Sequence, residues 1–377
     1  MNRLTFSRFG LTLVLVMTSF LGMAQFNNSP TLKIGDPAPY IKPKAWIRGE
    51  PLTQFEKGKV YVIDFWATWC GGCIASFPHI SAVAEKYKDR VRFISVDSYE
   101  EAGGNKGKDP VTVVAEFLKT PQGQKLAFDV AVDGPDKTMY NGWINPLRRQ
   151  GFPTTFVINQ EGKIAWIDVN LDHLDWVIGQ VLAKTWDIEK AAAVMQKKDA
   201  IEDMMFKAFQ EQGGMYKEGQ DKKIWETILT ASEAFENQFP DRKDAVAFFK
   251  FMALSVLDND KIPDLLEEMA ANPLCRYLNL GDAAGLTLER SDLSKRDYIA
   301  IAKVQERLLL NEFATLPGRG GKSVSAYENL ASTYEKAGDL AKAAESIKNA
   351  IAMAKDQKAP AEQIEKLQDA LNKYEKK

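Results

Sequence analysis

From residue 32 to about residue 184 the chain alternates short apolar runs with amphipathic stretches. Residues 60–66 and 91–97 are β-rich apolar runs, and they bracket a helical pattern over 74–87. Only Lys88-Asp89-Arg90 joins that helix to the second run, so the three predict a βαβ unit with parallel strands. Residues 111–119 read as a further helix and 128–132 as a short strand. Residues 154–158 and 163–169 flank Asn159-Gln160-Glu161-Gly162, a hairpin signal. A helix over 171–184, apolar at Leu174, Val177, Ile178 and Val181, closes the series. This order predicts an α/β domain whose mixed sheet, parallel in its first half and antiparallel in its second, is flanked by helices.

After Trp186 the strand patterns stop and helical periodicity runs almost throughout, in a segment rich in Ala, Glu, Lys, Leu and Gln. Pro240, Pro263, Pro273 and the Leu316-Pro317-Gly318 break each end one helix or open the next. Near the C-terminus Tyr327, Leu330, Ala331, Tyr334, Gly338, Ala343, Ile347 and Ala350 resemble a tetratricopeptide unit over about one repeat, 324–354, although Lys355 stands where that pattern ends in proline. Residues 224–235 and 244–257 offer a degenerate second pair, and a plain helical bundle fits the pattern equally well. The expected organisation is therefore a leader over 1–24, an α/β domain over 25–185 and an all-α repeat or bundle domain over 186–377.

The leader reads as a processing signal, with an uncleaved anchor as the alternative. Arg3 and Arg8 precede the apolar stretch 11–21, and Gly22-Met23-Ala24 ends in a small residue, so cleavage is expected after Ala24. The apolar stretch is short for a membrane span, and no second one follows. Export, most simply to a periplasm, places the chain where disulfides persist. With 49 basic against 51 acidic residues, the charge balance argues against a nucleic-acid binder or a polybasic membrane protein.

Three cysteines do not make a disulfide-stapled scaffold. Cys70 and Cys73 are separated by Gly71-Gly72 and lie between a strand pattern and a helix pattern. A reactive turn between strand and helix puts Cys70 at a helix N-terminus, where orphan amides and the helix dipole favour a thiolate. Two such thiols are suited to electron exchange through a Cys70–Cys73 disulfide. Zinc is a poor fit, because His79, His173 and Cys275 stand at no ligand spacing. Cys275 is expected to be a free buried thiol, with a second redox partner as the alternative.

Asp64-Phe65-Trp66-Ala67-Thr68-Trp69-Cys70-Gly71-Gly72-Cys73, Pro78 and Gly151-Phe152-Pro153-Thr154 together resemble the thioredoxin superfamily. The exported context and the long segment between Asp97 and Phe152 resemble its TlpA/ResA-type thiol–disulfide oxidoreductases, over about residues 34–184. The resemblance implies Cys70 as nucleophile, Cys73 as resolving thiol and Asp64 as a buried proton partner. It also implies Pro153 as a cis-proline facing the disulfide, and Trp66, Trp69, Phe152 and Thr154 around the substrate. Core packing is the alternative for the tryptophans, as a strand-end position facing water is for Asp64. Many TlpA/ResA-type members carry an acid three residues after the second cysteine, and here Ser76 stands there. The expected activity is exchange with protein disulfides or dithiols, fed by a separate redox donor, without metal or organic cofactor. Rival readings are an interaction scaffold that senses redox state and, less favoured, a thiol peroxidase, against which Ala67 stands where a threonine is required.

Overall fold

The computed structural model describes residues 25–26, 30–212, 222–310 and 321–376. The leader 1–24 and the Leu316-Pro317-Gly318 break lie outside the described residues. The chain forms two compact units, one ending at Met195 and the other spanning Gln196–Lys377.

In the first unit β1 is Gln25–Phe26, β2 Ala45–Arg48, β3 Val60–Trp66, β4 Val91–Asp97 and β5 Asp129–Val132. They are followed by β6 Arg149–Gln150, β7 Thr154–Ile158 and β8 Ile164–Asp168. Six of them make one sheet in the order β2-β5-β4-β3-β7-β8. The β3, β4 and β5 strands are parallel, while β2, β7 and β8 pair antiparallel with their neighbours. The predicted mixed sheet is therefore present. Every residue of β3 is buried, as a central strand covered on both faces requires.

Strand alternation sorts β3 into two cores. Tyr61, Ile63 and Phe65 pack with Ile94, Trp143 and Phe156 on one face. Val60 and Val62 pack on the other with Ile80, Val83 and Ala84 of the helix α1, Gly71–Tyr87. Asp64 and Trp66 share the parity of Val62 and therefore the face beneath α1. Pro110 opens the next helix, α2 (Pro110–Phe117), and Asp109 caps it by accepting the Thr112 N–H at 3.2 Å. The β7–β8 turn closes as expected: the Asn159 carboxamide oxygen accepts the N–H groups of Glu161 and Lys163, and Gly162 supplies a positive φ of 76°.

Three elements lack a periodic signal in the sequence. The edge strand β2 is four residues long, half-exposed and bulged between Trp46 and Arg48. The helix α3, Thr138–Trp143, has six residues. The two-residue ladder pairs Gln25 with Gln150 and Phe26 with Arg149.

The helix α4, Leu174–Leu182, buries Leu174, Val177, Ile178 and Val181. The next helix, α5 (Ile188–Gln212), starts after the sheet pattern has ended, yet its Ile188, Ala191, Ala192 and Met195 pack on the core of the first unit. From Gln196 onward the described elements are helical. Gly338 adopts the left-handed conformation (φ 86°) between the helices Val324–Ala337 and Leu340–Asp356. Leu330, Ala331, Tyr334, Ala343, Ile347 and Ala350 are buried together there. Cys275 is a free, buried thiol in this unit, and burial pushes its pKa up to about 12.

Candidate active site

Trp66 ends β3, and the loop Ala67-Thr68-Trp69 carries the chain onto the first turn of α1. The Cys70 N–H donates to the Ala67 carbonyl at 3.0 Å, and Cys70 is the N-cap of α1. Its Sγ accepts the Cys73 N–H at 3.2 Å, taking one of the amides that the helix start leaves orphaned. The first turn of α1 holds no acidic residue, so nothing there offsets the positive end of the helix dipole. Cys70 and Cys73 form a disulfide with a Cα–Cα distance of 5.3 Å. Cys70 is 7% exposed and Cys73 is fully buried, so only Cys70 meets solvent. Ser76 donates its hydroxyl to the Cys73 carbonyl at 2.7 Å.

Asp64 is buried on the face of β3 that α1 covers. One carboxyl oxygen accepts the Thr155 hydroxyl at 2.6 Å from the paired position on β7, and the other has no partner. Burial raises its pKa to about 7, and the Thr155 hydrogen bond opposes that rise. The water-facing alternative for Asp64 is excluded by this burial.

The Phe152–Pro153 bond is cis. A Cβ built on Gly72 would stand 3.9 Å from the Pro153 ring, which brings the proline against the disulfide turn. Phe152 is partly exposed and packs on Trp69 at 5.9 Å and on Tyr140 at 6.1 Å. Tyr140 in turn stacks on Tyr99 at 5.0 Å.

Two sequence expectations need correction. Trp66 is fully buried against Phe77 and Phe117, at 5.1 and 5.5 Å, so it is core and no part of a docking surface. Its parity on β3 puts it under α1 with Val62 and Asp64. The Thr154 side chain is likewise buried, and its hydroxyl donates to the Gly151 carbonyl at 2.7 Å. It closes the proline loop rather than facing outward.

The sequence reading passed over Asp97, Glu100 and Asp133, three buried carboxyls at or just beyond the ends of β4 and β5. The available signal was positional, since the carboxyl ends of parallel strands are where α/β sheets gather functional groups. Asp97 is wholly buried, and its carboxyl lies beside the Glu100 carboxyl and the Thr68 N–H. Burial first, then the Glu100 and Asp133 carboxylates, hold it well above the usual carboxylate range. Asp133 accepts the N–H groups of Met139 and Tyr140 and the Ser98 hydroxyl.

Residues 33–175 match the Redoxin family. The chain is 31% identical over 157 residues to Protein FixW of Rhizobium leguminosarum, covering 41% of this chain and 69% of that protein. It is also 31% identical over 109 residues to a thiol-disulfide oxidoreductase ResA of Bacillus cereus, covering 29% of this chain and 53% of that protein. Among solved structures it is similar to StoA from Bacillus subtilis, with 21% identity, 38% of this chain and 99% of that chain covered, and a TM-score of 0.29. The family match stops at residue 175, so the helical unit lies outside it.

Proposed function

Because the chain belongs to the ResA-like thiol–disulfide oxidoreductases, we propose that Cys70 and Cys73 exchange electrons with cysteine pairs of exported proteins. The observation that carries this reading is Cys70 at the tip of α1, its sulfur accepting a helix amide while Cys73 lies buried behind it.

In the reducing direction the Cys70 thiolate attacks one sulfur of a substrate disulfide. That S–S bond breaks, a Cys70–substrate disulfide forms, and the other substrate sulfur leaves and takes a proton. Cys73 then passes its proton to the Asp64 carboxylate and attacks the Cys70 sulfur. The substrate's second thiolate departs, and the Cys70–Cys73 disulfide remains. Two electrons have passed to the substrate, and a separate dithiol donor returns them to the protein. A group with a pKa of about 7 accepts and releases protons readily at neutral pH, which suits Asp64 to this step.

Trp69, Phe152 and the cis-Pro153 loop form the docking surface for an extended segment around the substrate cysteine. Arg3, Arg8, the apolar stretch 11–21 and Ala24 support export, with a periplasm as the destination. No helix among the described residues is long and apolar enough to cross a membrane. The helical unit, 186–377 by its sequence rhythm, serves partner docking in this reading.

Dithiothreitol-driven insulin reduction tests the proposal. The wild type accelerates precipitation of the insulin B chain, and the Cys70→Ser/Cys73→Ser double variant runs at the uncatalysed rate. Equal rates for the two proteins would refute enzyme turnover and leave the motif as a sensor.

A further inference from the structure

The turn after β4 grips the loop that carries Cys70. Glu100 is buried, and its carboxylate takes both donors of Thr68: the N–H at 2.7 Å on one oxygen and the hydroxyl at 2.7 Å on the other. Asn105 donates its carboxamide N–H to that same second oxygen, also at 2.7 Å. One residue further along, the Trp69 indole N–H donates to the Tyr99 carbonyl at 3.1 Å. Gly103 lies so close to the Trp69 ring that a Cβ there would stand 2.0 Å from Cδ1, so only glycine admits this contact. Tyr99 itself holds a left-handed backbone (φ 65°), unfavourable for a residue with a side chain, and its stacking on Tyr140 and the Lys137 ammonium 4.0 Å over its ring hold it there.

A carboxylate costs free energy to bury, and Glu100 is compensated by donors from the reactive loop and from its own turn, with the Asp97 carboxyl, held protonated by burial, beside it. Glu100, Asn105, Tyr99 and Gly103 all lie outside the cysteine motif. Cys70 follows Thr68 by two residues, and its sulfur meets the Cys73 amide only if the loop enters α1 at the observed angle.

We propose that Glu100 is a positioning residue for the exchange reaction, holding Thr68 so that the Cys70 sulfur is presented at the α1 N-terminus. The inference rests on Cys70 being the attacking thiol. Glu100 works through Thr68. It reaches Thr68 across 32 residues of sequence because β4 returns the chain beside β3.

The test is the alkylation rate of Cys70 by iodoacetamide in the reduced full-length protein at pH 7, read by peptide mass spectrometry, with the melting temperature of each variant alongside. Glu100→Ala, which removes both acceptors, is expected to slow alkylation about tenfold, and Thr68→Val, which keeps the charge and loses one hydrogen bond, about threefold. Thr68→Ser restores the hydroxyl and the rate. Removing a nearby negative charge by itself would favour the thiolate and speed the reaction, so the sign of the change separates positioning from a field effect. Should Glu100→Ala not fold, Thr68→Val and Thr68→Ser decide alone. Faster or unchanged alkylation in the folded variants, with or without a lower melting temperature, overturns the assignment of Glu100 and leaves the role of Cys70 standing. Wild-type Cys70 alkylating no faster than an ordinary thiol overturns both.

Discussion

Cys73→Ala is expected to stop turnover and leave substrate covalently attached to Cys70. With the buried sulfur gone, the mixed disulfide has no internal attacker, and insulin reduction falls to the uncatalysed background. Mass spectrometry of the variant incubated with a disulfide-bonded peptide should find the adduct on Cys70. Cys275 should stay unmodified, because burial pushes its thiol up to about 12 and almost none of it is thiolate at neutral pH. Cys70→Ala should capture nothing. Capture by that variant, or an adduct on Cys275, would contradict the assignment of nucleophile and resolving thiol.

Asp64→Asn carries the second large effect, and it divides by pH. The carboxyl has a pKa of about 7 in the folded protein against an ordinary value of 3.8. Below about pH 4 it is protonated in both states and folding is not penalised. As pH rises from there toward 7, the unfolded chain releases its proton first and stability falls. Above pH 7 the whole penalty is present, on the order of 4 kcal/mol. Asparagine never ionises, yet it leaves amide N–H groups buried beside Thr155, at a cost of about 1–3 kcal/mol. Urea denaturation should therefore find Asp64→Asn less stable than the wild type at pH 4 and more stable at pH 8. Release of the Cys70-bound substrate should slow by roughly 100-fold at pH 7 with the initial attack little changed, since in the proposed cycle only the resolving step uses the carboxylate. A stability difference of constant sign across this range would refute the burial argument.

The residues that could be read directly are those whose chemistry is local in sequence. Cys70, Cys73 and the helix that starts between them share one short segment, and strand periodicity supplied the βαβ frame around them. Asp64 was legible only through the family resemblance, and it is the burial of every residue of β3 in the folded chain that removes the water-facing alternative. Parity on β3 consigns Trp66 to the core, the alternative its sequence context left open. Glu100 is not legible in the sequence because it lies in a polar turn that looks solvated, and only the folding of β4 beside β3 brings it to Thr68. The edge strand β2 and the helix α3 are too short for periodicity to show. In the helical unit, the 3.6-residue rhythm locates the helices, while their packing partners depend on contacts that no local pattern encodes.

The proposed exchange turns on the acidity of a single sulfur. Following the alkylation of Cys70 in the reduced wild-type protein from pH 4 to pH 10 measures it directly. A midpoint well below the ordinary thiol value of about 8.5 is the predicted result. A midpoint at or above that value would mean the α1 N-terminus does not stabilise the thiolate, and the account built on Cys70 would fail.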